Sequence, residues 1–247
     1  MKAIILAAGY ATRLYPLTKN KPKPLLEVNG KTILEHILDK VAKVSIVDEV
    51  FIVTNSRFFG QFQTWVGQYL CPFTIKVLDD GTTDNTNRLG AIADLQLVIE
   101  QEKLDDDLLI LAGDNLFDFE LSDFVAFFGK KPFDMITTHE LLDLDQLRRT
   151  GVIEVDTDYR VTSFVEKPQE PWSNLAVPPF YIYRRDTLPL IRQYLDEGQN
   201  PDAPGNFIPW LLTKKAVYAY KFEGERYDIG TVEGYREVCE IFQSKIW

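Results

Sequence analysis

KAIILAAGYATRLYPLTKNKPKPLLEVNGKTIL, residues 2–34, is the stretch from which the fold can be read. Its apolar residues 3–8 run straight into Gly9, and Thr12, Arg13, Lys19, Lys21 and Lys23 follow. A secretory signal is excluded, because the apolar run is too short and the basic residues come at once. A buried first strand is predicted over residues 3–7. Gly9 after such a strand permits a close backbone approach, so that the next amides can face a phosphate chain. Arg13 and Lys23 can supply the charge, and Pro22 and Pro24 stiffen the backbone on either side of Lys23. NGKT at residues 29–32 looks like the end of a Walker loop, but the glycine required five residues before Gly30 is Leu25. The Gly9 region also lacks the three-glycine dinucleotide fingerprint.

Outward from this stretch, strand-like and helix-like segments alternate. Residues 32–44 put Ile33, Leu34, Ile37, Leu38 and Val41 on one helical stripe, and EVFIVT at 49–54 returns as a strand. A helix over 57–70, a strand over 73–78 and a helix over 88–101, with Leu89, Ile92, Leu95 and Ile99 inward, come next. DDDLLILAGDN at 105–115 is a further apolar strand, and its carboxyl end delivers Asp114. The expected class is α/β: a doubly wound, mainly parallel but mixed central sheet of Rossmann-like kind, with its ligand site outside the carboxyl ends of the strands. Strands over 151–156, 160–167 and 176–183 read as antiparallel additions, and helices are expected over 186–197 and 231–244. With no repeat and no Gly/Ser linker, residues 1–247 read as one domain.

The 247 residues are 45% hydrophobic, enough for a substantial core, and carry a formal charge of −10. A nucleic acid backbone would be repelled by the average surface, so a small anion has to be held by local cations. Cys71 and Cys239 make neither a disulfide framework nor a metal cluster, which points to a reducing cytoplasm. No apolar run approaches the roughly 20 residues that cross a bilayer, so no membrane is expected.

Leu6-Ala7-Ala8-Gly9, Thr12-Arg13-Leu14, Pro16-Leu17-Thr18 and Lys21-Pro22-Lys23-Pro24-Leu25-Leu26 together resemble the nucleotidyltransferases that activate sugar 1-phosphates. Glucose-1-phosphate thymidylyl-, uridylyl- and cytidylyltransferases are the nearest named members. AGDN at 112–115, TGVIEVD at 150–156, VEKPQEPWSNLAV at 165–177 and RYDIGT at 226–231 extend the likeness over most of the chain. One departure is Ala11, where many members have a second glycine. The resemblance implies that Leu6, Ala8, Gly9, Thr12, Arg13, Lys23, Asn85, Gly90 and Asp114 bind the nucleotide. It gives Arg13, Lys23, Asp114 and Asp228 the catalytic roles, Asp114 and Asp228 the Mg2+, and Gly151, Glu166, Lys167 and Val177 the acceptor phosphate. Members commonly form oligomers, so a homo-oligomer is also implied.

The chemistry agrees with the residue types. A phosphate monoester with a second pKa near ~6 is largely dianionic at neutral pH and needs no general base. His36 and His139, the only histidines, are read as structural. What the reaction does need is positioning, charge neutralisation and a metal held by oxygen ligands. Asn85, five residues before Gly90, stands where thymidylyl- and uridylyltransferases generally have glutamine, while the threonine-rich run before Arg88-Leu89 resembles cytidylyltransferases. A pyrimidine triphosphate is therefore expected, with CTP, UTP and dTTP left open. The acceptor is expected to be a sugar 1-phosphate, with phosphocholine the alternative. A nucleotide-sugar-dependent glycosyltransferase would not need the TRLYPLTKNKPKP segment, and a noncatalytic regulatory homologue ought to have lost one of the charged residues. A chain ending at Trp247 is expected to lack the C-terminal allosteric extension of longer thymidylyltransferases.

Overall fold

In β1 (Lys2–Leu6) successive side chains enter different cores: Ala3 and Ile5 pack into one apolar cluster, and Ile4 into another. Alternation with both faces apolar is what a central strand covered by helices on both sides requires. The computed structural model describes residues 1–244, without the side chain of Asp228.

After β1 come the short β2 (Glu27–Val28) and β3 (Lys31–Thr32), α1 (Ile33–Val41), β4 (Glu49–Thr54), α2 (Phe59–Val66) and β5 (Thr74–Asp79). α3 (Ala91–Gln101), β6 (Leu108–Ala112), β7 (Asn115–Phe117), α4 (Leu121–Lys130) and β8 (Asp134–Glu140) follow. The remainder is α5 (Leu144–Leu147), β9 (Gly151–Val155), β10 (Val161–Glu166), β11 (Leu175–Val177), β12 (Phe180–Tyr183), α6 (Leu188–Asp196), α7 (Phe207–Leu212), β13 (Val217–Lys221), β14 (Arg226–Asp228) and α8 (Val232–Ser244).

β5, β4, β1 and β6 lie side by side in that order and all run parallel. β12 joins antiparallel to β6, then β8 to β12, and the sheet continues through β11, β9 and β10 with antiparallel pairing. β13 pairs parallel with β8. The chain thus builds the mixed α/β sheet that its sequence pattern predicts, with a parallel half from β5 to β6 and antiparallel additions beyond it. The cluster on one face takes Ile37 of α1, Phe62 of α2, Phe124 of α4 and Phe242 of α8. The other face is covered by α3, α6 and α7 through Leu95, Ile191 and Phe207.

Two boundaries differ from expectation for physical reasons. The helix expected from residue 88 begins at Ala91, because Gly90 sits at φ +94, outside any helical conformation. Its inward set also differs: Ile92, Asp94, Leu95, Gln96 and Val98 are buried, while Leu89 and Ile99 are only half-buried. The strand expected over 176–183 is two strands. Pro178 and Pro179, which lack N–H donors, interrupt it, and β11 pairs with β8 and β9 while β12 pairs with β6 and β8. α1 starts at a capping box in which Thr32 Oγ1 accepts from the Glu35 amide at 3.1 Å and Glu35 Oε2 from the Thr32 amide at 2.5 Å.

Candidate active site

The carboxyl ends of β1, β4, β5 and β6 share one rim of the sheet, and β1 and β6 flank the point where the strand order reverses. An open cleft of about 1320 Å3 runs from this rim to the antiparallel half. Leu6, Ala8, Gly9, Thr12, Arg13, Lys23, Asn85, Gly90, Asp114, Gly151, Glu166, Lys167 and Val177 all line it. Of the residues singled out from sequence, Asp228 alone has its side chain outside the described residues. Its backbone pairs with Asn115, the neighbour of Asp114.

The Gly9 loop is fixed from below. Buried Asn55 donates to the Ala8 carbonyl at 2.8 Å and Thr54 Oγ1 to the Ala7 carbonyl at 3.3 Å, so the loop backbone is held by groups at the end of β4. Gly9 has an ordinary φ and nothing within 4 Å of where a Cβ would stand; what it contributes is an open face rather than a special conformation. The strained residue is Ala11, at φ 46 and ψ 44, the left-handed region that costs a residue with a Cβ roughly 1–2 kcal/mol. Thr18 Oγ1 donates to its carbonyl at 2.8 Å and helps to hold it there. Arg13 next to this bend is exposed to the cleft and has no ion pair among the described residues.

Lys23 is 5% exposed, an unusual burial for a lysine, and its Nζ donates to Asp114 Oδ2 at 2.9 Å. The Gly113 amide bonds to the Leu6 carbonyl at 2.8 Å, which brings the end of β6 against the end of β1 and sets Asp114 beside the Gly9 loop. Asn115 Nδ2 donates to Asp114 Oδ1 at 2.7 Å, and Arg226 of β14 donates to Asn115 Oδ1 at 2.6 Å. Enclosure works against the charge on Asp114, but Lys23, Asn115 and Arg226 outweigh it and hold the carboxyl below its usual range. The result is a carboxylate kept ionised next to a buried ammonium.

At the other end, Glu166 finishes β10 with its carboxylate against Gly205 and Gly151; a Cβ on Gly205 would collide with Glu166 Oε2. Burial pushes the Glu166 carboxyl up, only partly offset by Lys167 and Arg226. Lys167 is held at φ +51, a left-handed conformation tied down by its amide bonding to the Thr150 carbonyl at 3.1 Å. A non-glycine residue kept in that region inside a cleft fits an aimed side chain.

The loop carrying Asn85, Arg88 and Gly90 closes the cleft at the third side. Asn85 is exposed at the rim, with its Oδ1 accepting from Arg88 at 3.2 Å. Arg88 Nε reaches Asp202 Oδ1 at 2.8 Å, and the Ala91 and Ile92 amides bond to the Asp202 and Pro201 carbonyls. A Cβ on Gly90 would stand 2.6 Å from the Pro201 carbonyl oxygen, at a φ that side chains rarely adopt. Gly90→Ala is therefore expected to cost about 2 kcal/mol or more in denaturant unfolding, the sum of a φ penalty and a backbone clash.

Sequence reasoning did not single out Asp80, Asp94 or Arg226, which line the cleft; His139, read as structural, lines it as well. His139 stacks on Phe222 at 5.0 Å, and burial followed by the charge of Arg226 pushes it down to about 4, so it is neutral at physiological pH. Asp94 carried a readable signal: it falls beside Leu95 on the buried side of α3, where an aspartate without a partner is rare. His36, also read as structural, has its Nε2 within 2.9 Å of the Val28 carbonyl.

Comparison with known proteins agrees with this arrangement. The sequence is 29% identical over 248 residues to UTP–glucose-1-phosphate uridylyltransferase AglF of Haloferax volcanii, covering 99% of this chain and 98% of that protein. It is 27% identical to the bifunctional protein GlmU of Methanocaldococcus jannaschii and 26% identical to the glucose-1-phosphate adenylyltransferase of Fervidobacterium nodosum, but spans only 51% and 59% of their lengths. A structure of UDP-glucose pyrophosphorylase complexed with UDP-glucose superposes with a TM-score of 0.82 at 22% identity over 99% of each chain, which shows the shared fold. The sequence profile described as nucleotidyl transferase matches residues 2–245. Because that match runs along practically the entire chain, the protein belongs to the nucleotidyl transferase family.

Proposed function

We propose that this enzyme joins a pyrimidine nucleoside triphosphate to a sugar 1-phosphate, giving a nucleotide sugar and pyrophosphate. The observation that carries this reading is the buried Lys23 ammonium, 2.9 Å from an ionised Asp114, beneath a phosphate-approachable Gly9 loop. The likeness to AglF over both full lengths supports a sugar 1-phosphate acceptor and a pyrimidine donor.

In this reading the Gly9 loop amides and the exposed Arg13 take the triphosphate, and Lys23 faces the α-phosphoryl group. The acceptor phosphate approaches from the side of Glu166 and Lys167, with Lys167 neutralising it and Glu166 orienting sugar hydroxyls. Two anions must be brought together, and the barrier is mainly their repulsion, so fixed cations and positioning do the catalysis. Oxygen donors at Asp114 and Asp228 suit magnesium, and among the described residues no group of three or more metal-ligating side chains gathers that would favour a closed zinc site. Magnesium bound there would neutralise developing phosphate charge. No described helix is long and apolar enough to cross a membrane, and the free thiols of Cys71 and Cys239 are compatible with work in the cytoplasm.

The test is magnesium-dependent pyrophosphate release, with CTP, UTP, dTTP, ATP and GTP each offered against a pool of sugar 1-phosphates plus phosphocholine. Release that requires both a pyrimidine triphosphate and a sugar 1-phosphate is the expected result. Release with phosphocholine alone would replace the acceptor, and silence with all five triphosphates would sink the reading.

A further inference from the structure

Two carboxyl groups at the base-loop end of the cleft have oxygens with no hydrogen-bond partner among the described residues. Asp80, directly after β5, is 7% exposed and its Oδ2 is buried and unpaired; Asp94, in the first turn of α3, is 5% exposed and its Oδ1 is equally unpaired. Both residues line the cleft. Asp80 is held rigidly: its amide bonds to the Thr54 carbonyl at 2.8 Å, and its Oδ1 accepts from the Thr82 amide at 2.7 Å and from Thr82 Oγ1 at 2.8 Å. Tyr10 of the Gly9 loop completes the set through a 3.0 Å contact with Thr82 Oγ1. The loop that meets the phosphates and the strand end that carries Asp80 are thereby one unit. An orphaned acceptor this deep costs stability unless something donates to it.

We propose that Asp80 and Asp94 form the subsite for the exocyclic amino group of a pyrimidine, so that the enzyme selects CTP over UTP and dTTP. The inference rests on the nucleotidyltransferase reading above. An amino group offers two N–H donors to a pair of acceptor oxygens, whereas uracil and thymine place a carbonyl oxygen at the same position, acceptor against acceptor. Cytosine also has an unprotonated ring nitrogen next to the amino group. Burial and the nearby charge of Asp80 push Asp94 up to about 8, which leaves a proton on that carboxyl at neutral pH for the ring nitrogen to accept. Asn85 at the exposed rim then has a lesser share in choosing the base than its place in the sequence suggests.

Equilibrium binding of CTP, UTP, dTTP and the 4-deamino analogue of CTP to the wild-type enzyme, with magnesium and without acceptor, tests this. CTP is expected to bind at least ~10-fold more tightly than the other three, as for a site built to hydrogen-bond a substrate N–H group. Asp80→Asn, which turns an acceptor into an amide able to donate, is expected to erase most of that ratio by weakening CTP and not UTP. Equal or tighter binding of UTP, or undiminished binding of the deamino analogue, overturns the proposal with no mutant needed. Binding of nucleotides without a CTP preference overturns this inference alone, whereas absence of any triphosphate binding overturns the functional reading as well.

Discussion

Replacing Lys23 by methionine is expected to lower kcat/KM for pyrophosphate release by ~100- to 1,000-fold, the usual loss when one preorganised charge at a phosphoryl or oxyanion site is removed. Methionine keeps the length and apolar stem that Pro22 and Pro24 position, so the change removes the ammonium and little else. Asp114 would keep Asn115 as a hydrogen-bond partner, and its side chain is 44% exposed, so the carboxylate is not stranded in a dry interior. Asp114→Asn is expected to be similarly inactive. If Lys23 acted only as a structural partner of Asp114, the methionine variant would unfold earlier yet retain near-normal turnover in its folded fraction. Denaturant unfolding beside initial rates separates the two outcomes.

The second large effect is on stability against pH. Asp94 titrates at about 8 when folded, against 3.8 for an ordinary aspartate, so between those values the folded state holds a proton that the unfolded chain lacks. Stability from this group is therefore complete below pH ~4 and is lost as pH rises to about 8, at roughly 1.4 kcal/mol per pH unit. His139 has the opposite sign: its folded value of about 4 lies below the ordinary 6.5, so its contribution is present above that value and is lost as pH falls toward 4. From pH ~4 to ~6.5 the two slopes nearly cancel; from ~6.5 to ~8 Asp94 acts alone, and a loss of about 2 kcal/mol is expected. Denaturant midpoints at pH 5.5, 6.5 and 8 check this. Asp94→Asn should remove most of the fall between the last two, and an equally steep fall in that variant would exclude Asp94 as its source.

Much of this was legible from local pattern. β4 matches the strand expected over residues 49–54, and β1 and β6 lie within a residue or two of where apolar runs end at Gly9 and Asp114. The rule that ligands bind at strand carboxyl ends then sufficed to collect Gly9, Asn85 and Asp114 on one rim. What escaped was set by tertiary contact. β8 and β13 pair across a long chain separation, and α3 begins three residues late because Gly90 is shaped by Pro201, over a hundred residues away. Asp80 reads from sequence as one more polar turn residue. Its significance lies in an unpaired, buried oxygen, and that depends on what fails to come near it.

The segment from Pro201 to Gly205 has a further consequence for anyone rebuilding the enzyme. It presses on Gly90 and grips Arg88 at one end, and seats Glu166 at the other. If the two ends take donor and acceptor as proposed, both preferences hang on a common brace. A base loop transplanted from a relative will fit only if the brace travels with it, and moving the brace will disturb the pocket for the other substrate. Specificities in this scaffold should be exchanged in pairs.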